Sequence, residues 1–83
     1  MTELPPVDFY WRPGCPFCSM LERGLRARDV PLRKHNIWED PDAAAVVRSH
    51  ARGNETVPTV VVDGTGMVNP GADEVVAALH ARR

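Results

Sequence analysis

Val7-Asp8-Phe9-Tyr10-Trp11-Arg12-Pro13-Gly14-Cys15-Pro16-Phe17-Cys18 is the stretch that decides the fold. Val7 to Trp11, β-branched and aromatic at four of its positions, reads as a strand, and Arg12-Pro13-Gly14 reads as a turn. Phe17, Leu21 and Leu25 then recur at helical spacing. Pro16 suits the first helical position, where its missing N–H is not needed. Two thiols three positions apart thus stand where a strand hands over to a helix. Such a pair can close a small disulfide ring or share a metal ion, and its surroundings choose between the two.

Working outward, the helix runs to about Arg28 and is broken by Val30-Pro31, after which Leu32 to Ile37 reads as a second strand. Asp40-Pro41 marks the next helix start, with Asp40 as the cap and Pro41 in the first turn. The Ala-rich stretch 43–51 continues that helix with Val46 and Val47 on its apolar side, and Gly53-Asn54 ends it. Thr59 to Asp63 is a strand that looks buried on both faces. Gly64 or Gly66 supplies a turn, and Met67-Val68-Asn69 returns as a short strand. Asp73 stands at the start of a last helix, as its cap, with Val75, Val76 and Leu79 facing inward. The predicted order is β-α-β-α-β-β-α. A helix between the first two strands makes them parallel, and the last two form an antiparallel hairpin. The expectation is an α/β fold, a four-stranded mixed sheet flanked by three helices, which resembles the thioredoxin fold in its smallest form.

Size and composition set the class. Its 83 residues allow a single domain, 1–83, with one core. With 43% hydrophobic and 25% charged residues and a formal net charge of −1, the composition is that of soluble globular proteins. That balance favours neither nucleic acid nor an anionic membrane as partner. No apolar run approaches the roughly 20 residues that span a bilayer. Met1 to Pro6 shows no basic and apolar pattern of a signal peptide, so a cytoplasmic protein is expected. In a reducing cytosol a lone Cys-x-x-Cys is catalytic or metal-binding more often than structural.

Disulfide exchange needs a thiolate, and an ordinary cysteine, with a pKa of about 8.5, is only slightly ionised at neutral pH. At a helix N-terminus, unpaired N–H groups and the macrodipole favour negative charge, and Arg12 adds a positive charge nearby. Both push the Cys15 pKa down toward the range of about 3.5–7.5 of activated cysteines. Cys15 is therefore the expected nucleophile. Cys18, one turn on and more shielded, is the expected resolving thiol. Pro58, which directly precedes a buried strand, suggests a cis Val57-Pro58 bond that leaves the Val57 N–H and C=O facing Cys15. Those groups could pair with the backbone of a thiol ligand.

Cys15-Pro16-Phe17-Cys18 together with Thr56-Val57-Pro58 resembles the glutaredoxin family. The stretches 53–58 and 69–75, Gly-Asn-Glu-Thr-Val-Pro and Asn-Pro-Gly-Ala-Asp-Glu-Val, resemble its actinobacterial mycoredoxin branch more closely. The similarity covers roughly Val7 to Leu79. It implies a redox-active Cys15–Cys18 disulfide and reduction of mixed disulfides between proteins and a low-molecular-weight thiol. It also implies thiol binding by Arg12, Phe17, Val57, Pro58 and Asp73. Asn69-Pro70-Gly71 stands where glutaredoxins carry a Gly-Gly pair that helps hold glutathione, which directs the expectation to mycothiol. No bound cofactor is expected, the thiol being a co-substrate. Expected partners are the small thiol, proteins with mixed disulfides and a flavoprotein reductase, with a monomeric chain.

Other readings stand beside this one. A dithiol reductase serving one enzyme, such as ribonucleotide reductase, would use the same pair. A zinc site would have to recruit His35, His50 or His80, whose spacing makes no finger or ribbon pattern. An iron–sulfur carrier is disfavoured by Pro16. Among single residues, Trp38 reads as packing between the second strand and second helix, with a ligand wall as the alternative. Tyr10 and Trp11 alternate between core and surface, Phe17 is a candidate partner contact, the histidines read as solvated surface residues, and Arg82-Arg83 as a frayed end.

Overall fold

A computed structural model describes residues 4–81, so the expectations for Met1 to Glu3 and for Arg82-Arg83 lie outside the described residues. The elements are β1 (Val7–Trp11), α1 (Pro16–Ala27), β2 (Leu32–Asn36), α2 (Pro41–His50), β3 (Thr59–Val62), β4 (Thr65–Val68) and α3 (Ala72–Ala81). They form one mixed sheet in the order β2-β1-β3-β4. β1 runs parallel to β2 in the register Val7 with Leu32 through Trp11 with Asn36. β3 lies antiparallel to both β1 and β4. This is the expected architecture, with the carboxyl ends of β2, β3 and β4 a residue shorter than expected and β4 beginning at Thr65 instead of Met67.

Alternation along β1 divides the interior into two cores. Val7 and Phe9 point to one face, where Leu21 and Leu25 of α1 and Val75 and Leu79 of α3 join Val60 and Val62 of β3. Tyr10 points to the other face and packs with Ile37 and with Ala43, Ala44, Val47 and Ala51 of α2 and its end. Small alanines let α2 lie close to the sheet. Val57 is half-buried and packs against both cores.

The connections explain the trimmed ends. Asp63 and Gly64 both take positive φ, +49° and +81°, the pairing that a two-residue hairpin turn between β3 and β4 demands. Asn69 has φ +51°, so it leaves the strand conformation and β4 ends at Val68 instead of Asn69. Asp40 caps α2 as expected, accepting from the N–H groups of Asp42 and Ala43 at 3.0 and 3.3 Å. Asp73 does not cap α3. It lies within the first turn, and the Glu74 carboxylate reaches back to the Gly71 N–H at 2.9 Å. Glycine takes the capping place there, and the acidic side chain three residues on closes the turn in its stead.

Two side-chain expectations also change. His35 is half-buried: its Nε2 lies 3.0 Å from Asp8 Oδ1 and its ring stacks on Tyr10 with centroids 4.7 Å apart. Trp38 is 63% exposed and does not pack between β2 and α2. Ile37 takes the buried place, and its N–H donates to the Trp11 carbonyl at 2.9 Å.

Candidate active site

The path of the chain into α1 places the thiols. β1 ends at Trp11, and Gly14 turns the chain with φ +76°, a conformation that suits glycine. Cys15 follows in extended conformation, φ −101° and ψ 104°, as the N-cap of α1. Its sulfur accepts a hydrogen bond from the Cys18 N–H at 3.1 Å, and its carbonyl accepts from the Ser19 N–H at 3.2 Å. A side chain that elsewhere would be serine or aspartate is here a sulfur, so the helix N-terminus is capped by the group that reacts. Both cysteines are largely buried, Cys15 at 7% and Cys18 at 3% exposure, and they are joined as a disulfide with Cα atoms 5.2 Å apart.

The second wall comes from the segment before β3. The Val57-Pro58 peptide bond is cis. Cys15 Sγ lies 3.9 Å from the Val57 carbonyl oxygen. In the disulfide that is a sulfur–oxygen contact, and in the reduced protein the Cys15 thiol has an acceptor there. Thr59, fully buried, braces this turn by donating its hydroxyl to the Thr56 carbonyl at 2.8 Å. The Pro58 carbonyl accepts from the Asn69 N–H at 2.7 Å, which ties the loop before α3 to the same turn. The turn before β3 thus faces Cys15, and the loop before α3 is tied to that turn.

Beside the pair lies an open cleft of about 220 Å³ between α1 and the loop before α3. Phe17, Met20 and Leu21 line one side, and Asn69, Pro70, Gly71 and Ala72 line the other. Phe17 and Met20 are 61% and 63% exposed, so an apolar rim borders the dithiol. Met20 was not anticipated from the sequence, although its place one turn after Phe17's neighbours on α1 is the signal that could have found it.

The Arg12 guanidinium lies 5.7 Å from the centre of the Trp38 ring. Asp73, expected near the ligand, is turned elsewhere: its carboxylate accepts from Arg28 Nε at 3.0 Å, and the same guanidinium donates to the Gly24 carbonyl at 2.9 Å. Gly24 is about two and a half turns along α1 from Cys15. The geometry therefore gathers Arg12, Cys15, Phe17, Cys18, Val57 and Pro58 at one end of the sheet and leaves the Asp73 carboxylate apart. Among the described residues, no group of three or more His, Cys, Asp and Glu side chains is placed to hold a metal ion. None of the described helices is long and apolar enough to cross a membrane.

A dithiol arranged in this way can exchange with disulfides, because each step replaces one sulfur–sulfur bond by another. Comparison with known proteins agrees. The family model "Glutaredoxin" matches residues 7–67. The chain is 38% identical over 76 residues to Mycoredoxin 1 of Corynebacterium glutamicum, covering 90% of this chain and 94% of that protein. The fold superposes on a glutaredoxin from Archaeoglobus fulgidus with a TM-score of 0.75 at 19% identity, covering 90% of this chain and 86% of that one. It also superposes on the glutaredoxin-like NrdH-redoxin of Escherichia coli with a TM-score of 0.72 at 22% identity, covering 95% and 100%. With its dithiol at the helix cap and its sequence matched from β1 into β4, the chain belongs to the glutaredoxin family of thiol–disulfide oxidoreductases.

Proposed function

We propose that this oxidoreductase removes a low-molecular-weight thiol from protein cysteines, with mycothiol as the thiol. The observation that carries the chemistry is the Cys15 sulfur at the cap of α1, receiving the Cys18 N–H at 3.1 Å. A thiolate gains more from that donor and from the helix dipole than a thiol does, so the site favours the reactive form. The resemblance to Mycoredoxin 1 over 90% of the chain supports the choice of thiol.

In the first step the Cys15 thiolate attacks the small-thiol sulfur of the protein mixed disulfide. The bond to the protein breaks, the protein leaves as a thiolate that takes a proton, and Cys15 carries the small thiol. A second molecule of the small thiol then attacks that sulfur, releasing an oxidised dimer and restoring the Cys15 thiolate. Alternatively Cys18 attacks Cys15, forms the Cys15–Cys18 disulfide and releases the small thiol, and an external reductant returns the two electrons. Val57 backbone groups hold the ligand, Pro58 shapes that turn, and Arg12 stabilises the thiolate and the leaving group. Phe17 meets the protein part of the substrate. The protein acts as a cytoplasmic monomer of one domain and draws reducing power from a flavoprotein reductase through the small-thiol pool.

Cysteine variants test this. Cys15→Ser abolishes turnover of a mycothiol–peptide mixed disulfide, and Cys18→Ser retains it. Activity in Cys15→Ser would remove Cys15 as the nucleophile. Loss of activity in both variants would favour the second reading, a dithiol reductase of one protein disulfide, for which the closed Cys15–Cys18 bond is the supporting observation.

A further inference from the structure

Gly24 lies inside α1, where glycine costs a helix about 1 kcal/mol relative to alanine. Its backbone is ordinary helix, so no special φ accounts for it. Its neighbours do. A β-carbon built at Gly24 would lie 3.1 Å from the Ala72 β-carbon and 3.5 Å from Arg28 Nη1. The first distance is shorter than the favourable separation of two carbons, about 3.5–4.0 Å. At this point α1 and α3 therefore approach as closely as a glycine opposite an alanine allows.

Ala72 opens α3 and also lines the cleft beside the dithiol, whose facing wall ends at Leu21, about one turn before Gly24. The Gly24–Ala72 contact thus joins the two walls one turn beyond the cleft, on the side away from Cys15. The loop wall cannot yield at Ala72 alone. The Asn69 N–H donates to the Pro58 carbonyl at 2.7 Å, and the Gly71 N–H donates to Glu74 Oε1 at 2.9 Å. Arg28 bridges the helices, donating to the Gly24 carbonyl at 2.9 Å and to the Asp73 carboxylate at 3.0 Å. A shift of Ala72 is therefore carried into Gly71 and Pro70. The cleft is continuous with the reacting pair, since Phe17 stands between the cysteines and forms its near wall. Its volume of about 220 Å³ is below the roughly 300–1,000 Å³ of small-molecule pockets. Phe17 and Met20 give it an exposed apolar rim. One apolar side chain of a protein held at Cys15 suits that size and lining.

We infer that Gly24 is a positioning residue: by admitting Ala72 against α1 it sets the separation of the cleft walls, and so the fit of the apolar side chain that neighbours the modified cysteine of a substrate protein. This rests on the mixed-disulfide reaction proposed above and adds how the protein half of the substrate is gripped. A methyl group on Gly24 would push the loop wall outward and loosen that grip without touching the sulfurs.

The test is steady-state kinetics on two cysteine peptides, each disulfide-linked to mycothiol and differing only in a leucine or a glycine beside the cysteine. For Gly24→Ala the expected result is a KM about threefold higher for the leucine peptide, with kcat and the glycine-peptide KM unchanged, as for loss of uniform binding. Ala72→Gly added to Gly24→Ala removes the methyl group that the new one meets, and the leucine-peptide KM returns to the wild-type value. An unchanged KM in Gly24→Ala, equal changes on both peptides, or no rescue by Ala72→Gly overturns the role of Gly24 and leaves the reaction standing. A wild-type enzyme inactive on both peptides overturns the proposed function, and this inference with it.

Discussion

Asp8 shows how a single side chain on the inner strand β1 links sequence to pH dependence. Burial acts to raise its pKa, but hydrogen bonds from His35 and Arg33 outweigh burial and hold the carboxyl below its ordinary value of 3.8. The Asp8 oxygens lie 3.0 Å from His35 Nε2 and 3.1 Å from Arg33 Nε. A carboxyl whose folded-state pKa is depressed contributes stability that is present above its unfolded value and is lost as pH falls through the folded one. Urea midpoints should therefore drop as pH falls below about 4, and Asp8→Asn should flatten part of that drop. At neutral pH the same variant should cost about 1 kcal/mol, since the bonds are to a charged but partly solvated group. Glu22, also held low against burial by Lys34 and Arg26, accounts for a share that Asp8→Asn leaves in place. Parallel acid profiles for wild type and variant would refute the role of Asp8. None of this was visible in the sequence: Arg33 and His35 lie 25 and 27 residues from Asp8, and only the parallel pairing of β1 with β2 joins them to it. The cysteines were legible because Pro16 fixes the first helical position and so leaves Cys15 the cap.

At the scale of elements, helix starts and the hairpin were readable because short polar and glycine signals act locally. Asp40-Pro41 opened α2, and Asp63-Gly64 closed the turn between β3 and β4. Where two local signals competed, the structure went against the sequence reading, which took Asp73 as the cap of α3 and Trp38 as the packing residue. Asp73 and Gly71 could each precede the first turn of α3, and Glu74 decided for Gly71 by bonding its N–H. Ile37 and Trp38 could each have filled the space under α2, and the smaller side chain fits against the alanines that bring α2 close. The contact of α2 with β4 shows a similar economy of volume. A methyl group built on Gly66 would clash with the His50 ring, which therefore packs closely against the glycine of β4. Gly66→Ala should lower stability by about 1–3 kcal/mol, as overpacking does. In a His50→Ala background the same substitution should be neutral or slightly stabilising, because glycine weakens a strand. A double-mutant cycle by urea unfolding checks this, and additive effects would show that the two residues do not compete for one space.

Across the whole molecule, the sheet separates two cores that differ in use. The α1 and α3 side holds the large aliphatic side chains and both cysteines, whereas the α2 side is built from small residues with Tyr10 and Ile37. Val57 touches both, so the turn facing Cys15 is supported from each side of the sheet. This is why two distant segments, the start of α1 and the turn before β3, can meet at one sulfur without a long loop. The two-sided interior was not legible, because the sequence reading led to one core with Tyr10 and Trp11 divided between core and surface, whereas α2 covers the second face of the sheet. Phe17 was read as a candidate partner contact and is exposed, but its neighbour Met20 was not anticipated, because an apolar residue on a helix surface reads the same whether it is covered or open. The cap of α1 carries a further consequence for motion. Since Cys15 Sγ receives the Cys18 N–H, the first turn of the helix is held by the atom whose electron count changes in each cycle. A charged sulfur accepts that proton roughly twice as strongly as a neutral one. Amide hydrogen exchange at Cys18 should therefore be slower in the reduced protein, above the pH at which Cys15 ionises, than in the oxidised protein, while amides in the middle of α1 stay alike. Equal Cys18 protection in both forms would contradict it. If it holds, the enzyme's breathing carries a record of its last encounter, and a partner could sense whether the molecule is loaded from how readily one turn of helix opens.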